Sequence, residues 1–306
     1  MDFKTLPDGP LRLVDVTVPG CLLGAGQDLV RTDLSIAEGR IAAGGGTPVE
    51  MGGAMVFPAF VDMHTHLDKG HIWDRAPNPD GTFPGALTTV AADRAANWSA
   101  EDVRTRMEFG LRSAHAHGTR AIRTHLDSIP PQDGISWPIF LEQRSDWAGR
   151  IDLQAACLIG VDMMEPDGDF VRTADLVAEA GGVLGMVTYP VADFRARLLG
   201  FLGLAAERGL PVDFHVDENG DPGPGTLRSI AEAVLDTGFD APVVVGHCCS
   251  LAVQDAAEAE RTLDLVAEAG LNVVSLPMCN LYLQDRHAGR TPRWRGITLV
   301  HEMKAR

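Results

Sequence analysis

The sequence predicts an α/β fold of the TIM (β/α)8-type barrel class, preceded by a small N-terminal β unit. Three observations support this prediction. From residue 57 onward, short β-branched runs alternate with amphipathic helical patterns, which indicates parallel strands joined by helices. Most of these helical patterns end in glycine. Histidines and carboxylates follow several of the predicted strands, at the edge where the active sites of barrels lie.

Residues 1–56 form the predicted N-terminal unit, with a β-sandwich-like arrangement. Residues 11–18 alternate apolar and polar side chains, as a half-buried strand does. Residues 36–43 are predicted to form two strand edges around a turn at Gly39. Three consecutive glycines and a proline predict a loop over residues 44–48.

Residues 57–306 carry the pattern of the predicted barrel. Seven strands are predicted, at 56–66, 121–126, 152–158, 183–189, 212–218, 243–247 and 272–276. Amphipathic helices are predicted between them, for example at 173–180, 194–208, 227–237 and 262–269. A closed barrel of this class needs eight strands. The pattern therefore predicts that the eighth strand is absent from the given chain and belongs to a continuation beyond Arg306, which leaves the barrel of 57–306 incomplete at its C-terminus.

Composition and charge narrow the functional classes. The chain has 306 residues, 45% of them hydrophobic and 22% charged, as in globular proteins. A net charge of −16 argues against nucleic acid and anionic membranes as partners. No signal peptide and no apolar run long enough for a membrane span is found, and five cysteines without zinc-knuckle spacing indicate reduced thiols. We therefore predict a cytoplasmic protein, with the oligomeric state left open, a homo-oligomer included.

A His-x-His pair ends the first predicted barrel strand, which we expect to be buried. His64 and His66 point to the same face because alternate residues of a strand do so, and two imidazoles at that spacing can share one metal ion. His115 and His117 have the same spacing at the end of a predicted helix. Positions i and i+2 of a helix are about 200° apart, so the second pair cannot chelate an ion.

Further strand ends supply the rest of a catalytic metal site. His215 ends the fifth predicted strand and completes a three-histidine set that leaves coordination positions open for water. A bound metal lowers the pKa of that water. Glu218 is predicted to take its proton and pass it to a leaving nitrogen. His247, after the sixth strand, is predicted to hold the attacking hydroxide or polarise the substrate. For His125, at the end of the second strand, the sequence is as consistent with a supporting or core role as with direct catalysis.

Six stretches carry a family resemblance, at residues 58–68, 123–127, 213–218, 246–247, 280–286 and 295–303. They resemble the amidohydrolase superfamily and, within it, the cytosine deaminase group, for which the run 280–303 is specific. The resemblance implies His64, His66 and His215 as ligands of one divalent ion, Zn²⁺ or Fe²⁺. It also implies Glu218 as the proton shuttle and His247 as the contact to the metal-bound water. The family's remaining ligand, an Asp after the eighth strand, has no counterpart in the given sequence.

Three further positions bear on the substrate. Cytosine deaminases resemble one another in a Gln after the third strand, which reads the pyrimidine amide. The aligned residue here is Gly160, so we expect a related ring rather than cytosine itself. Phe83 matches an apolar pocket residue of the family and is expected to line the substrate pocket. Lys69 is predicted to meet an anionic or carbonyl-bearing substrate, with a solvated lysine as the alternative.

The sequence thus predicts a metal-dependent hydrolase of carbon–nitrogen bonds other than peptide bonds. Its expected substrate is a small nitrogen heterocycle, a cyclic amidine or amino-heterocycle that loses ammonia or an amine. One alternative is a binuclear cyclic amidohydrolase of the dihydropyrimidinase or dihydroorotase type. Those enzymes carry a carboxylated lysine after the fourth strand, and residues 183–190 contain no lysine. The other alternative is a catalytically inert barrel. Measuring metal content together with turnover of amino-heterocycles would distinguish an inert barrel from an active hydrolase.

Overall fold

The structure is a computed structural model that describes residues 5–165, 168–223 and 225–306. The chain divides into two compact units, Met1–Ala59 and Phe60–Arg306. Across the described ranges, no helix combines the length and apolar character that crossing a bilayer would require. All five cysteines are free thiols.

The first unit contains one four-stranded sheet in its described residues. Its strands, in the sheet order β3-β2-β1-β4, are β1 (Leu11–Pro19), β2 (Leu29–Ala37), β3 (Arg40–Ala42) and β4 (Thr47–Glu50). β1 pairs antiparallel with β2 and parallel with β4. This is a single sheet, whereas the sandwich-like arrangement expected from the sequence would need two.

One strand of this unit occupies a segment that the sequence assigned partly to a loop. β4 begins at Thr47 because Leu13 of β1 pairs with Val49 in the parallel register, which continues the sheet to its edge. Pro48 is tolerated there because an edge strand does not need every backbone N–H. Local glycine content predicted the turn and could not reveal this long-range pairing.

The second unit carries seven parallel strands in chain order. They are β5 (Phe60–Thr65), β6 (Thr119–Asp127), β7 (Asp152–Leu158), β8 (Leu184–Thr188), β9 (Val212–Val216), β10 (Val243–His247) and β11 (Asn272–Val274). β5–β7 form one sheet and β8–β11 another. Backbone hydrogen bonds from Val183 N to Ala155 O (2.9 Å) and from Val187 N to Ile159 O (2.7 Å) join the two sheets.

Helices separate and cover these strands. They are α1 (Phe83–Asn97), α2 (Ala100–Ala116), α3 (Asp133–Asp146), α4 (Asp169–Glu179), α5 (Phe194–Arg208), α6 (Thr226–Thr237), α7 (Ala256–Glu268), α8 (Pro277–Leu283) and α9 (Val300–Lys304). The core of this unit includes the fully buried side chains of Trp137, Phe140, Phe201 and Phe214. The predicted α/β class is confirmed, and this packed scaffold fixes the strand ends relative to one another.

The seven strands do not close into a barrel within the described ranges. β5 and β11 are the outermost strands of the series, and no backbone pairing joins them in those ranges. The prediction that β5 is a buried strand is wrong, because Phe60 and Val61 are 60% and 67% exposed. The cause is that β5 pairs with β6 along only one of its two edges.

Element ends follow the local chemistry of the chain. β7 and β10 match the predicted strands 152–158 and 243–247. α5 ends at Arg208 and is capped by Gly209, which has a left-handed φ of 63°. The predicted strand 212–218 instead ends at Val216, because Asp217 has a φ of 46°. Its carboxylate accepts hydrogen bonds from Thr226 N (2.8 Å) and Leu227 N (3.1 Å) at the start of α6. This turn takes the following residue, Glu218, out of the strand.

Candidate metal centre

Four imidazoles converge at the C-terminal ends of β5, β6 and β9. His64 lies in β5, His66 directly follows it, His125 lies near the end of β6, and His215 lies in β9. The nitrogen atoms that these side chains can offer to a metal all lie within 4.8 Å of one another. We call these four residues the histidine cluster. The structure thus brings together the three predicted ligands and adds His125 to them.

Distances within the histidine cluster fit a shared cation. The Nε2 atom of His215 is 3.1 Å from Nε2 of His64 and 3.4 Å from Nε2 of His66. Nitrogen ligands on metal bonds of about 2.0–2.1 Å stand about 3.0–3.4 Å apart around one ion. A single imidazole proton can serve only one of the two contacts of His215, which leaves lone pairs facing each other. One divalent cation between the three Nε2 atoms satisfies all of them.

The tautomer of His66 suits metal ligation. Its Nδ1 atom is 3.3 Å from the backbone oxygen of His125, so Nδ1 carries the proton and donates it to that carbonyl. The lone pair therefore lies on Nε2, the nitrogen that faces His215. Metal-bound histidines are commonly oriented by such a hydrogen bond from their other ring nitrogen.

Burial keeps these imidazoles uncharged. Desolvation, with smaller contributions from neighbouring cationic groups, holds the pKa values of His64, His66 and His215 well below the usual value of 6.5. A neutral imidazole is the form that ligates a metal. The site is therefore prepared to bind a cation at neutral pH without first releasing protons.

A glycine in β10 makes room for the ring of His64. A Cβ atom on Gly246 would lie 2.9 Å from Cε1 and 3.2 Å from Nδ1 of that imidazole. Non-bonded contacts of a Cβ atom shorter than 3.0 Å essentially never occur, so a side chain at this position would displace His64. Gly246 is thus part of the reason that His64 can reach the histidine cluster.

Sequence reasoning did not assign a role to Asp213, which supports the histidine cluster. Asp213 is fully buried in β9, two residues before His215, so both side chains lie on the same face of the strand. Its Oδ1 lies 3.1 Å from His125 Nε2, and Arg123 donates to its Oδ2 at 3.0 Å. The Asp-x-His spacing was the available signal, and it places Asp213 in contact with His125.

Glu218, His247 and Asn280 form a second group beside the histidine cluster, which we call the Glu218 group. Glu218 Oε1 lies 3.2 Å from Nδ1 of His247, and Nδ2 of Asn280 donates to Glu218 Oε1 at 3.0 Å. The ring centroid of His247 lies 5.1 Å from those of His64 and His215. The two predicted catalytic residues are therefore adjacent to each other, and His247 packs against the three-histidine set.

Burial shifts the pKa values of both predicted catalytic groups. It raises the pKa of Glu218 from 4.5 to about 7, and the Cys279 thiol, Lys69 and Asn280 offset only part of this effect. Burial also lowers the pKa of His247 to about 4. A carboxyl group with a pKa near 7 can accept and return a proton near neutral pH, as a proton shuttle must.

The raised pKa of Glu218 makes the stability of the metal-free protein depend on pH. The folded state holds this proton up to about pH 7, whereas the unfolded state releases it near 4.5. The free energy of unfolding of the chelator-treated wild type should therefore fall, relative to Glu218→Gln, as the pH rises through this window, by on the order of 3 kcal/mol. Urea unfolding of both proteins at about pH 5 and about pH 8 measures the difference. Parallel pH dependences would contradict it.

The two predicted substrate contacts have different surroundings. Lys69 Nζ lies 2.9 Å from Asp127 Oδ1, and its side chain is 20% exposed, so the alternative of a freely solvated lysine does not hold. Its positive charge lowers the pKa of Glu218 and of the neighbouring histidines. Phe83 is half-buried at the first position of α1 and makes no ring contact with the histidine cluster in the described structure. Contact of either residue with substrate stays a prediction.

The second His-x-His pair is not part of the histidine cluster and makes other contacts. His117 Nδ1 bonds the backbone oxygen of Ser113 at 2.7 Å, and the ring of His115 packs 5.8 Å from that of Trp147. These contacts agree with the prediction that a pair at i and i+2 near the end of a helix does not chelate. Identical spacing thus has different consequences on a strand and on a helix.

Neutral imidazoles gathered beside a buried carboxyl group at the C-terminal ends of parallel strands are the arrangement expected of a metal-dependent hydrolase. The sequence profile of the amidohydrolase family matches residues 111–306. Pterin deaminase from Rhizobium rhizogenes is 53% identical over 298 residues, which cover 95% of this chain and 68% of that protein. The chain therefore belongs to the amidohydrolase family.

Two solved structures show the same fold. 5-Methylcytosine deaminase from Klebsiella pneumoniae, liganded with 5-fluorocytosine, has a TM-score of 0.78 at 24% identity, covering 96% of this chain and 72% of that one. N-isopropylammelide isopropylaminohydrolase from Burkholderia multivorans has a TM-score of 0.70 at 23% identity, covering 97% and 72%. Together with the family match, the relatives confirm the predicted resemblance and the predicted class, a hydrolytic deaminase acting on a carbon–nitrogen bond.

Proposed function

We propose that this protein is a pterin deaminase, which hydrolyses the bond between the pteridine ring and its 2-amino group and releases ammonia. The observation that carries the proposal is the placement of Glu218 and His247 directly beside three converging histidines. The relative that is 53% identical over 95% of the chain supports the choice of a pterin among nitrogen heterocycles.

The histidine cluster is proposed to hold one divalent metal ion, Zn²⁺ or Fe²⁺. His64, His66 and His215 would be its ligands, since their Nε2 atoms face one another at 3.1 and 3.4 Å. Imidazole ligands accept either metal. When bound, the ion supplies Lewis-acid activation of a water molecule. His125, which lies 3.1 Å from Asp213 through its Nε2 atom, borders the same space.

Glu218 is proposed to move the proton that the reaction must relocate. Its carboxylate takes a proton from the attacking water and delivers it to the departing amino nitrogen, which leaves as ammonia. A pKa of about 7 suits both steps, because the group is neither too weak as a base nor too weak as an acid near neutral pH. His247 is proposed to orient the attacking oxygen or the ring nitrogen through its Nε2 atom.

The surroundings of Gly160 support a ring other than cytosine. A Cβ atom at this position would lie 2.4 Å from Asp162 Oδ1 and 2.7 Å from the hydroxyl oxygen of Tyr189. The hydroxyl of Tyr189 donates to Asp162, and Arg197 Nη1 donates to the backbone oxygen of Asp162 at 2.9 Å. If Gly160 takes the place of the glutamine that the family resemblance implies, a carboxylate and a phenol lie beside that position instead of an amide.

Three finer assignments complete the proposal. The seven-strand series is proposed to be of the (β/α)8-barrel type, as its parallel chain order and strand-end site support. Phe83 is proposed to line the pocket for the apolar part of the ring. Lys69 is proposed to meet a substrate carbonyl oxygen from its place between Asp127 and the histidine cluster.

Turnover of a small set of rings tests the proposed function. We expect the metal-loaded protein to release ammonia from pterin with a kcat/KM at least about 10- to 100-fold above that for cytosine, because one lost hydrogen-bond partner costs about 1–3 kcal/mol. Ammonia release and the absorbance change of the ring are measured together. Lumazine, which lacks the amino group, is the control that must release none.

The opposite preference would contradict the proposal. Efficient cytosine deamination, with a kcat/KM above roughly 10⁵ M⁻¹s⁻¹, would show that Gly160 does not exclude the pyrimidine. Absence of ammonia release from pterin by protein with full metal content would remove the pterin assignment itself.

A further inference from the structure

Asn280 joins the two predicted catalytic side chains, and no role was assigned to it from the sequence. It lies in the middle of α8, is 1% exposed, and places Nδ2 3.0 Å from Glu218 Oε1 and 3.1 Å from His247 Nδ1. The same two acceptor atoms lie 3.2 Å from each other. One amide nitrogen therefore contacts both partners at hydrogen-bond distance.

The chemistry of an amide nitrogen fixes the direction of these contacts. An asparagine NH₂ group has two hydrogens and no lone pair to share, so it donates to two acceptors. The opposite orientation would place Oδ1 of Asn280 against a carboxylate oxygen, with no donor between the two acceptors. When Nδ2 donates to Nδ1 of His247, the single proton of the neutral ring lies on Nε2. The competing tautomer carries the proton on Nδ1 and donates it to Glu218 Oε1, 3.2 Å away.

In the tautomer that Asn280 favours, the proton of His247 lies on Nε2, beside the histidine cluster. Nε2 is buried and has no hydrogen-bond partner among the described residues. The ring packs against those of His64 and His215, with centroids 5.1 Å apart in each case. A buried donor without a protein partner beside the histidine cluster is available to a substrate or water atom.

We propose that Asn280 is a positioning residue for deamination: its amide nitrogen holds Glu218 beside His247 and fixes His247 as the tautomer that donates through Nε2. This inference rests on the proposed function, because it assigns Asn280 to the same reaction. Asn280 itself need not touch the substrate.

The segment around Asn280 holds Glu218 from several sides. Gln284 Nε2 donates to the backbone oxygen of Glu218 at 3.1 Å, and the Cys279 thiol donates to Glu218 Oε1 at 3.7 Å. The backbone N–H of Gln284 in turn bonds the backbone oxygen of Asn280 at 3.0 Å. α8 therefore fixes both the carboxyl group and the backbone of the proposed proton shuttle, which gives the Asn280 amide a defined place.

The inference is tested on the Zn²⁺-loaded full chain by nitrogen-15 NMR of labelled histidine, which separates proton-bearing ring nitrogens from those with a lone pair. The variants are Asn280→Asp and Asn280→Ala, with Asn272→Asp as the matched control. The side chain of Asn272, at the start of β11, donates to Val243 O at 3.1 Å. The His247 resonances are assigned by their loss in His247→Gln.

We expect the wild type and Asn272→Asp to carry the His247 proton on Nε2. In Asn280→Asp, Nδ1 of His247 loses its amide donor and gains a second carboxylate beside Glu218, so the proton should move to Nδ1. The kcat for pterin should fall about 10- to 100-fold, as for other residues that orient a catalytic group. KM should change less than about 3-fold, because binding contacts are kept. Asn280→Ala removes the donor without adding a charge, so it should also lower kcat and weaken the preference for the Nε2 tautomer, by less than Asn280→Asp does.

Three results decide the inference. A wild-type protein with the proton on Nδ1 overturns it, and so does an Asn280→Asp variant that keeps the Nε2 tautomer and its kcat. A tautomer shift in Asn280→Asp without pterin turnover by any protein supports the role of Asn280 at His247 and refutes the proposed function alone. The NMR readout needs no substrate, so failure of the two proposals is distinguishable.

Discussion

His215→Ala is expected to abolish metal binding and turnover together. His215 Nε2 lies 3.1 Å from Nε2 of His64 and 3.4 Å from Nε2 of His66. Its loss therefore removes the one proposed ligand that contacts both of the others. Without the ion, water keeps a pKa near 15.7 instead of about 7, and turnover at neutral pH should fall at least about 10³-fold. Metal content by mass spectrometry and ammonia release from pterin measure the two effects.

His117→Ala is the matched control for this experiment. His117 also belongs to a His-x-His pair, but its Nδ1 bonds the backbone oxygen of Ser113 near the end of α2. We expect this variant to keep its metal content and turnover. A His215→Ala protein that is folded by circular dichroism and still binds one ion with wild-type turnover would exclude the histidine cluster as the catalytic centre.

Glu218→Gln is expected to separate metal binding from catalysis. Glutamine keeps the shape of the side chain and can still contact Asn280, but it cannot accept and return a proton. Metal content should stay at the wild-type level while kcat falls by about 10²-fold or more. The acid limb of the pH profile of kcat/KM should also disappear, since that limb reports ionisation of Glu218. In the wild type this limb should rise with pH and lie at or below about pH 7, because a bound cation favours the carboxylate.

Glu207→Gln provides the comparison for a glutamate outside the site. Its carboxylate is 72% exposed and pairs with Arg208 at 3.4 Å. Kinetic constants of this variant should equal those of the wild type. If Glu218→Gln also retained wild-type kcat, another group would have to carry the proton, and the Glu218 group would lose its proposed role.

Local patterns in the sequence were sufficient to predict the series of strands and helices and the convergence of three histidines. β-Branched runs and terminal glycines placed β7, β10 and α5 at their observed bounds. The same-face spacing of His64 and His66, with His215 at another strand end, predicted the convergence that the structure shows. These features are predictable because a parallel sheet brings the C-terminal ends of its strands to one edge whatever the loops do.

Features that depend on long-range packing were not predictable from these patterns. The place of Asn280 requires α8 to fold back over Glu218, which no periodicity encodes. The exposure of β5 depends on which strands pair with its edges, and its apolar sequence alone indicated burial. The Asp162–Tyr189 pair beside Gly160 joins side chains 27 residues apart in sequence. In each case the deciding contact is made by residues far apart in the chain.

Anomalous X-ray diffraction from crystals of the metal-loaded protein tests the central claim most directly. Data collected on both sides of the absorption edge of the bound metal locate the ion and identify it as zinc or iron. We predict one peak within about 2.0–2.3 Å of the Nε2 atoms of His64, His66 and His215. A peak at any other place, or no peak in protein that still deaminates pterin, would contradict the account of a three-histidine catalytic centre.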